Sequence, residues 1–158
     1  MDWITFGILL LACGASAATG VLFPPGRWYA ALRKPGFTPP NWAFPVAWSL
    51  LYIAMSAAAA LVAGQSGQPG VGLALALWAA QIAFNTLWTP VFFGLHRVRA
   101  ALGVIVVLWG LVLATLVAFW QIDWRAGLLM LPYLGWVSYA GALNAAIWRL
   151  NPRPAEVT

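Results

Sequence analysis

Long apolar runs separated by short polar segments form the main pattern along the chain. Five runs are long enough for helices that cross a hydrocarbon core of about 30 Å, which takes roughly 20 residues each. They cover residues 3–23, 43–63, 71–93, 101–121 and 126–148. The connections are short, except for the loop 24–42. The pattern therefore predicts an all-α fold, a single five-helix transmembrane bundle over residues 1–158.

The first connection continues into the stretch "KPGFTPPNWAFPVAW" (34–48), which interrupts the apolar pattern. It holds Pro35, Pro39, Pro40 and Pro45 together with several aromatic residues. Proline fixes its own φ angle and lacks a backbone N–H, so the stretch is predicted to be rigid and non-helical.

The composition strengthens the membrane assignment. The chain is 63% hydrophobic and 7% charged, whereas a soluble domain is roughly 45–50% apolar and about 25% charged. The net charge is +5. The basic residues lie between or beyond the apolar runs and form no stripe on a helix face, which argues against nucleic-acid binding. They indicate topology and contacts with lipid phosphates.

The distribution of basic residues predicts the orientation of the bundle. With five spans, the loop 24–42, the loop 94–100 and the C-terminus share one side, and Arg125 is alone on the other. The first side carries Arg27, Arg33, Lys34, Arg97, Arg99, Arg149 and Arg153. The positive-inside rule then predicts an outside (periplasmic) N-terminus and a cytoplasmic C-terminus. Continuous apolar helices favour a cytoplasmic (inner) membrane over a β-barrel outer membrane, if the protein is bacterial.

The N-terminal run is predicted to stay in the protein as the first span. No Lys or Arg precedes it to form the positive region of a signal peptide. Cys13 is the only cysteine, which excludes an intrachain disulfide and a Cys-based metal site. No metal and no cofactor are predicted.

The eleven tryptophans fall into two groups. One group lies at the predicted span ends, where indoles anchor at the headgroup level; it comprises Trp3, Trp28, Trp42, Trp124 and Trp148. The other lies inside the spans and comprises Trp48, Trp88, Trp109 and Trp136. Lipid tails offer an indole N–H no partner. Some of the second group should therefore face the protein interior or a cavity.

Three spans place aromatic and amide side chains on one helix face. The residues recur every three or four positions: Gln81, Asn85, Trp88 and Phe92 in the third span, Tyr133, Trp136, Ala140 and Asn144 in the fifth, and Trp48, Tyr52 and Met55 in the second. No Asp, Glu, Lys or Arg lies mid-span, which argues against a proton-coupled pump.

Two interpretations of these faces remain open. In one, aromatic walls and a few polar groups form a pocket for a large, flat, apolar ligand, and Pro90 and Pro132 bend their helices to widen it. In the other, Asn85 and Asn144 form hydrogen bonds between helices and the aromatic rings are packing.

Three blocks of sequence resemble a known family. They are "WYAALRKPGFTPPNWAFPVAWSLLY" (28–52), "AFNTLWTPVFFG" (83–94) and "PYLGWVSYAGALN" (132–144). They look like the signature blocks of the translocator protein (TspO/MBR) family, whose members are also called tryptophan-rich sensory proteins or, in animals, peripheral-type benzodiazepine receptors. The resemblance covers nearly the whole chain.

The resemblance implies a membrane receptor or sensor, usually a homodimer, that binds porphyrins such as protoporphyrin IX, sterol-like lipids and synthetic ligands. The pocket would open beside the loop 24–42, which would be its lid; alternatively, the loop rests on lipid headgroups. The ligand-binding residues on this interpretation are Trp42, Phe44, Trp48, Asn85, Trp88, Phe92, Trp136, Ala140, Leu143 and Asn144.

Alternative functions within the resemblance are a porphyrin transporter and an enzyme that degrades protoporphyrin IX in light. Trp48 and Trp136 match two tryptophans linked to that degradation, and they would be the catalytic residues. The cholesterol motif of animal members is not reproduced, because Tyr139 precedes Arg149 by ten residues and the motif allows about five. His96 is predicted to be solvent-exposed, and the alternative is an axial haem ligand.

The fourth predicted span carries a face of small residues. Gly103, Gly110 and Ala114 are spaced seven and four residues apart, which permits close contact between helices. This face is predicted to be the homodimer interface. The alternative is that it packs against another span of the same subunit.

Overall fold

The computed structural model describes residues 2–152, and Met1 and residues 153–158, including Arg153, lie outside them. Within the described range the secondary structure is helical, without strands. The helices are α1 (Trp3–Leu22), α2 (Arg27–Ala31), α3 (Ala43–Ala63), α4 (Val71–Thr89), α5 (Val98–Ile122) and α6 (Trp124–Leu150). A π-helical segment, Pro90–Gly94, extends α4.

Five helices of residues 2–152 have the length and composition of membrane spans, with mean hydropathies from 1.3 to 2.7. They match the five predicted runs, and α5 and α6 extend beyond the prediction at both ends. Large apolar side chains such as Leu11 (76% exposed) and Val21 (81% exposed) point outward, which is favourable only where the surroundings are apolar. The chain is an integral, multi-pass membrane protein.

The five long helices form a closed ring. α1 packs against α3 and α4, α3 packs against α6, and α5 lies between α6 and α4. Because the long helices alternate in direction, the loop 24–42, the loop 95–97 and the end of α6 lie together. We call this the basic end, and it carries Arg27, Arg33, Lys34, Arg97, Arg99 and Arg149.

Carboxylates cap two helices at the opposite end of the ring. Asp2 accepts hydrogen bonds from the backbone N–H groups of Ile4 (3.2 Å) and Thr5 (2.9 Å) at the start of α1. Asp123 accepts from the backbone N–H of Arg125 (2.9 Å) at the start of α6. The Arg125 side chain also donates to Asp123, which holds the pKa of that carboxyl below its ordinary value of 3.8. These caps satisfy N–H groups that the helices leave free.

The first turn of α6 lies too close to α5 for a side chain at Gly127. A Cβ added there would lie 2.9 Å from the Cα of Trp120, a backbone atom that cannot swing aside. Gly127 therefore lets the start of α6 pack directly against the last turns of α5.

The prediction that 34–48 is non-helical is right as far as Trp42 and wrong from Ala43 onward, where the predicted second span, 43–63, begins. α3 begins at Ala43, so Pro45 is the third residue of that helix. The first N–H groups of a helix have no intrahelical acceptor, so a proline there costs no hydrogen bond. The loop before it also contains a short helix, Arg27–Ala31.

Candidate functional site

Aromatic rings from α3 and α6 meet in the half of the bundle nearer the basic end. Trp48 stacks on Tyr52 with ring centres 5.4 Å apart and makes edge contacts with Tyr133 (6.1 Å) and Trp136 (6.3 Å). Phe44 makes an edge contact with Trp136 at 6.0 Å. We call these five residues the aromatic cluster. Edge-to-face and offset contacts at such distances stabilise beyond the area that they bury.

An open apolar groove of about 500 Å³ lies between α3 and α6, beneath the loop 24–42. Its wall includes Ala47 and Leu50 of α3, Gly135 and Trp136 of α6, and Pro39 of the loop. We call it the α3–α6 groove. Ligand pockets range over about 300–1,000 Å³, so the groove has room for a drug-sized ligand. Trp136 belongs both to the groove wall and to the aromatic cluster.

Asn85 is the centre of a buried polar network that joins four helices. Its Oδ1 accepts hydrogen bonds from Ser16 Oγ of α1 (2.9 Å) and Tyr52 OH of α3 (3.0 Å). Its Nδ2 donates to Tyr133 OH of α6 (2.9 Å), and Tyr133 OH donates to Gln81 Oε1 of α4 (2.8 Å). Both lone pairs of the Asn85 oxygen are thus engaged within the protein.

Asn144 forms a second polar connection nearer the basic end. Its Oδ1 accepts from Trp88 Nε1 of α4 (3.2 Å), and its Nδ2 donates to the backbone carbonyl of Val98 at the start of α5 (2.9 Å). The side chains of both asparagines are therefore used between helices. This geometry favours the interhelical interpretation of Asn85 and Asn144 over one in which they point at a ligand.

Indole N–H groups inside the spans have partners in several cases. Trp109 Nε1 donates to Ser138 Oγ (2.8 Å), and Trp78 Nε1 donates to the Met55 carbonyl (3.2 Å). Together with Trp88, they show how the bundle satisfies indoles that lipid cannot. The N–H groups of Trp48 and Trp136 have no hydrogen-bond partner within residues 2–152.

The loop 24–42 closes the basic end of the ring. Tyr29 and Leu32 are buried there, and the Tyr29 ring contacts Phe92 (6.2 Å) and Phe93 (5.3 Å). The loop thus inserts side chains between the ends of the long helices and does more than lie on the surface. The other buried members of this layer are Phe92, Ala101, Leu143 and Ile147.

Polar contacts fasten the loop to α6. The Asn151 side chain accepts from the Arg33 N–H (3.0 Å) and donates to the Arg33 carbonyl (2.9 Å), so it pairs with both backbone polar groups of that residue. Tyr139 OH donates to the Phe37 carbonyl. We call the Asn151–Arg33 pair the loop clasp. The clasp ties the loop to the end of α6, and the Tyr139–Phe37 bond ties it beside the α3–α6 groove, which Tyr139 lines.

His96 is exposed, as the sequence predicts. Its ring stacks on Trp28 with centres 4.2 Å apart and planes 16° apart. Its φ of +55° is unusual for a residue with a side chain. The stack joins the loop 24–42 to the connection between α4 and α5.

The structure divides the predicted ligand-binding residues among several places. Trp136 lines the α3–α6 groove, and the rings of Phe44 and Trp48 contact the Trp136 ring. Ala140 packs against the main core. Trp42 is 69% exposed and does not belong to the aromatic cluster. Three of the remaining five, Asn85, Trp88 and Asn144, form hydrogen bonds between helices. The other two, Phe92 and Leu143, are buried at the basic end.

Sequence reasoning missed one member of the polar network and most of the wall of the α3–α6 groove, including Ala47, Leu50 and Gly135. Ser16 is buried and bonds Asn85, and a hydroxyl within an apolar span was an available signal. Gly135 lines the groove, and only the packing of α3 against α6 reveals it.

The two glycines of the small face of α5 point away from the rest of the bundle. Gly103 and Gly110 are exposed, and a Cβ added to either would meet no atom within 4 Å. The alternative that these glycines pack against another span of the same subunit is therefore wrong.

Comparison with known proteins matches residues 6–149 to the model of the TspO/MBR family. Protein CrtK of Rhodobacter capsulatus is 52% identical over all of this chain and 99% of its own length. The tryptophan-rich sensory protein of Cereibacter sphaeroides is 53% identical over 96% of this chain and 94% of its own. The human translocator protein is 37% identical over 79% and 75% of the two chains.

Proposed function

This chain belongs to the TspO/MBR family, and we propose that it is a membrane receptor or sensor that binds porphyrins, protoporphyrin IX in particular. The proposal places the ligand in the α3–α6 groove, against Trp136 and beneath the loop 24–42. Sterol-like lipids are further candidate ligands of the same site. The proposal of a receptor or sensor is supported by the names of two relatives, tryptophan-rich sensory protein and translocator protein.

The proposal rests on Trp136, which both lines the α3–α6 groove and belongs to the aromatic cluster. Its ring is part of an apolar wall with space beside it, and it also contacts Phe44 and Trp48. A flat aromatic ligand in the groove would extend this set of rings through stacking or edge contacts. The neighbouring Gly135 leaves the wall open, since no side chain projects there.

The test is saturable quenching of tryptophan fluorescence by protoporphyrin IX in detergent. Gly135→Leu should fill the groove and weaken binding at least tenfold. A Cβ at Gly135 meets no atom within 4 Å, so the variant should fold. Gly14→Leu is the matched control, because Gly14 is also exposed on a span with no atom near an added Cβ.

Two further variants locate the ligand. Trp136→Phe should reduce the maximal quenching, and Ala140→Leu, beside Trp136 on α6, should weaken binding by displacing the aromatic cluster. Quenching that is linear in porphyrin and equal in all variants would mean partitioning into detergent, and the proposal would fail.

Light-dependent breakdown of protoporphyrin IX is a second candidate activity. Two contacts of Trp48 favour it. Its ring meets Trp136 edge-on and stacks on Tyr52, so the three rings form one continuous set. Under illumination, an enzyme should consume many porphyrins per protein and should lose turnover in Trp136→Phe. Consumption of at most one porphyrin per protein would reject this activity and leave the receptor proposal intact.

We propose that the basic end faces the cytoplasm, because it gathers six of the basic residues in the described range and Arg125 lies at the opposite end. In a Cys13→Ser background, Ser66→Cys should react with an impermeant maleimide from outside intact cells. Thr38→Cys should react only after the cells are opened. The reverse pattern would overturn the orientation.

We also propose a homodimer through Gly103, Gly110 and Ala114. The glycines are exposed and leave a shallow face on α5, where another helix can approach closely. Gly110→Leu should shift the protein to monomers in cross-linking or light scattering, and Gly14→Leu should not. A dimer unaffected by Gly110→Leu would place the interface elsewhere.

A further inference from the structure

A second apolar groove, of about 420 Å³, lies on the outer surface between α5 and α6. Leu102, Val106 and Trp109 form one wall, and Gly141, Ala142 and Ala145 form the other. We call it the α5–α6 groove. It is concave because three small residues of α6 stand beside larger side chains of α5. It shares no residue with the α3–α6 groove.

The polar groups inside this groove are already satisfied. Trp109 Nε1 donates to Ser138 Oγ (2.8 Å), and Ser138 Oγ donates to the Leu134 carbonyl (2.8 Å). The surface that remains is hydrocarbon, so the part of an occupant that lies in the groove must be apolar.

Cations stand at one end of the groove. Arg149 follows Ala145 by one helical turn on α6, and Arg99 precedes Leu102 by three residues on α5, so the two side chains continue the walls towards the basic end. The Arg99 guanidinium lies 5.3 Å from the ring centre of Trp148, the neighbour of Arg149. This contact brings the two charged helix ends together.

The dimensions match one leaflet of a bilayer. Ten residues separate Arg99 from Trp109 on α5, which is about 15 Å at 1.5 Å per residue. Half of a hydrocarbon core of about 30 Å is also about 15 Å. An acyl chain whose headgroup lies at Arg99 would therefore reach the level of Trp109.

From this combination we infer that the α5–α6 groove is a binding site for an anionic glycerophospholipid, with an acyl chain in the groove and the phosphate between Arg99 and Arg149. The proposed homodimer uses a different face of α5, because Gly103 and Gly110 lie about 100° around the helix from Leu102 and Trp109 of the groove. The carboxylates that the structure describes, Asp2 and Asp123, lie at the opposite end, so they leave Arg99 and Arg149 to a phosphate.

The test uses the full chain in phosphatidylcholine vesicles that contain a minor fraction of bromine-labelled lipid, either phosphatidylglycerol or phosphatidylcholine. Bromine on the acyl chain quenches nearby indoles. The difference between the parent and Trp109→Phe isolates the signal of Trp109. Two arginines at about 1 kcal/mol each predict a preference of about 30-fold for the anionic lipid.

Two pairs of variants make the result specific. Arg99→Gln with Arg149→Gln should abolish the preference, whereas Arg27→Gln with Arg33→Gln, which changes the net charge equally at the same end, should retain it. Ala142→Phe should fill the groove and reduce quenching by both lipids. Ala76→Phe, at an exposed alanine of α4, should not.

Equal quenching by the two lipids would overturn the inference, because the groove would then hold ordinary bilayer lipid. An equal loss of preference in the two arginine pairs would also overturn it, since the effect would come from net charge alone. A preference that survives Ala142→Phe would place the lipid outside the groove. Soluble glycerol phosphate should not compete, and if it does, the phosphate and not the lipid is the ligand.

Discussion

Replacement of Asn85 by leucine tests whether the buried polar network stabilises the bundle. The substitution keeps a side chain of similar size and removes both polar atoms. Three hydrogen bonds are lost, from Ser16 (2.9 Å), from Tyr52 (3.0 Å) and to Tyr133 (2.9 Å). Each joins α4 to a different helix, so the loss loosens three interfaces at once.

The magnitude follows from measured interhelical hydrogen bonds in membranes. These average about 0.6 kcal/mol and reach about 1.7 kcal/mol, so three bonds give about 2 to 5 kcal/mol. Tyr52 OH and Ser16 Oγ are 3.4 Å apart and can pair with each other in the variant. Tyr133 still donates to Gln81. We therefore expect Asn85→Leu to lower the free energy of unfolding by about 2 kcal/mol, the lower end of the range.

Gln81→Leu is the matched control, because it removes one strong bond, from Tyr133 (2.8 Å), and a weak contact to Met55 Sδ (3.8 Å). It should cost about 0.6 kcal/mol. The assay is reversible unfolding in dodecyl maltoside with increasing dodecyl sulfate, followed by circular dichroism. A cost for Asn85→Leu no greater than that for Gln81→Leu would refute the central role of Asn85.

The same variant separates the two interpretations of Asn85. If its polar atoms serve the bundle, the folded variant should bind protoporphyrin IX with nearly unchanged affinity. If its polar atoms serve the ligand, affinity should fall about tenfold, which corresponds to about 1.4 kcal/mol, with little change in stability.

Three further predictions concern the ends of the bundle. Asn151→Ala should open the loop clasp, and trypsin should then cleave after Arg33 faster than in the parent; an unchanged rate would show that burial alone holds the loop. Gly127→Ala should lower the unfolding midpoint in dodecyl sulfate, because its Cβ would overlap the backbone of α5; an unchanged midpoint would mean that the turn adapts freely. The pKa of Asp123 is depressed in the fold, so its contribution is present above the unfolded pKa of about 4 and is lost as pH falls through the folded value. The stability difference between the parent and Asp123→Asn should therefore shrink below about pH 4, and a constant difference would contradict this.

The sequence by itself determined the number, positions and membrane character of the long helices. Apolar runs of about 20 residues report a local property, the transfer of a segment into hydrocarbon, which needs no knowledge of the neighbours. α3 begins and ends where the pattern predicts, at Ala43 and Ala63. The prediction that the proline-rich stretch is non-helical failed for its last residues. Pro45 lies in the first turn of α3, where a missing N–H is tolerated.

Only the tertiary structure decided what the polar and aromatic side chains do. Helical periodicity placed Asn85 on one face with Gln81 and Trp88, but it could not say that Ser16, 69 residues away, supplies a partner. Nor could it separate Trp136, which lines the α3–α6 groove, from Ala140, which does not, although both pack against the main core. The physical reason is that a face becomes a pocket wall or a helix contact according to which helix lies opposite. That choice depends on the order of helices around the ring, which no local pattern encodes.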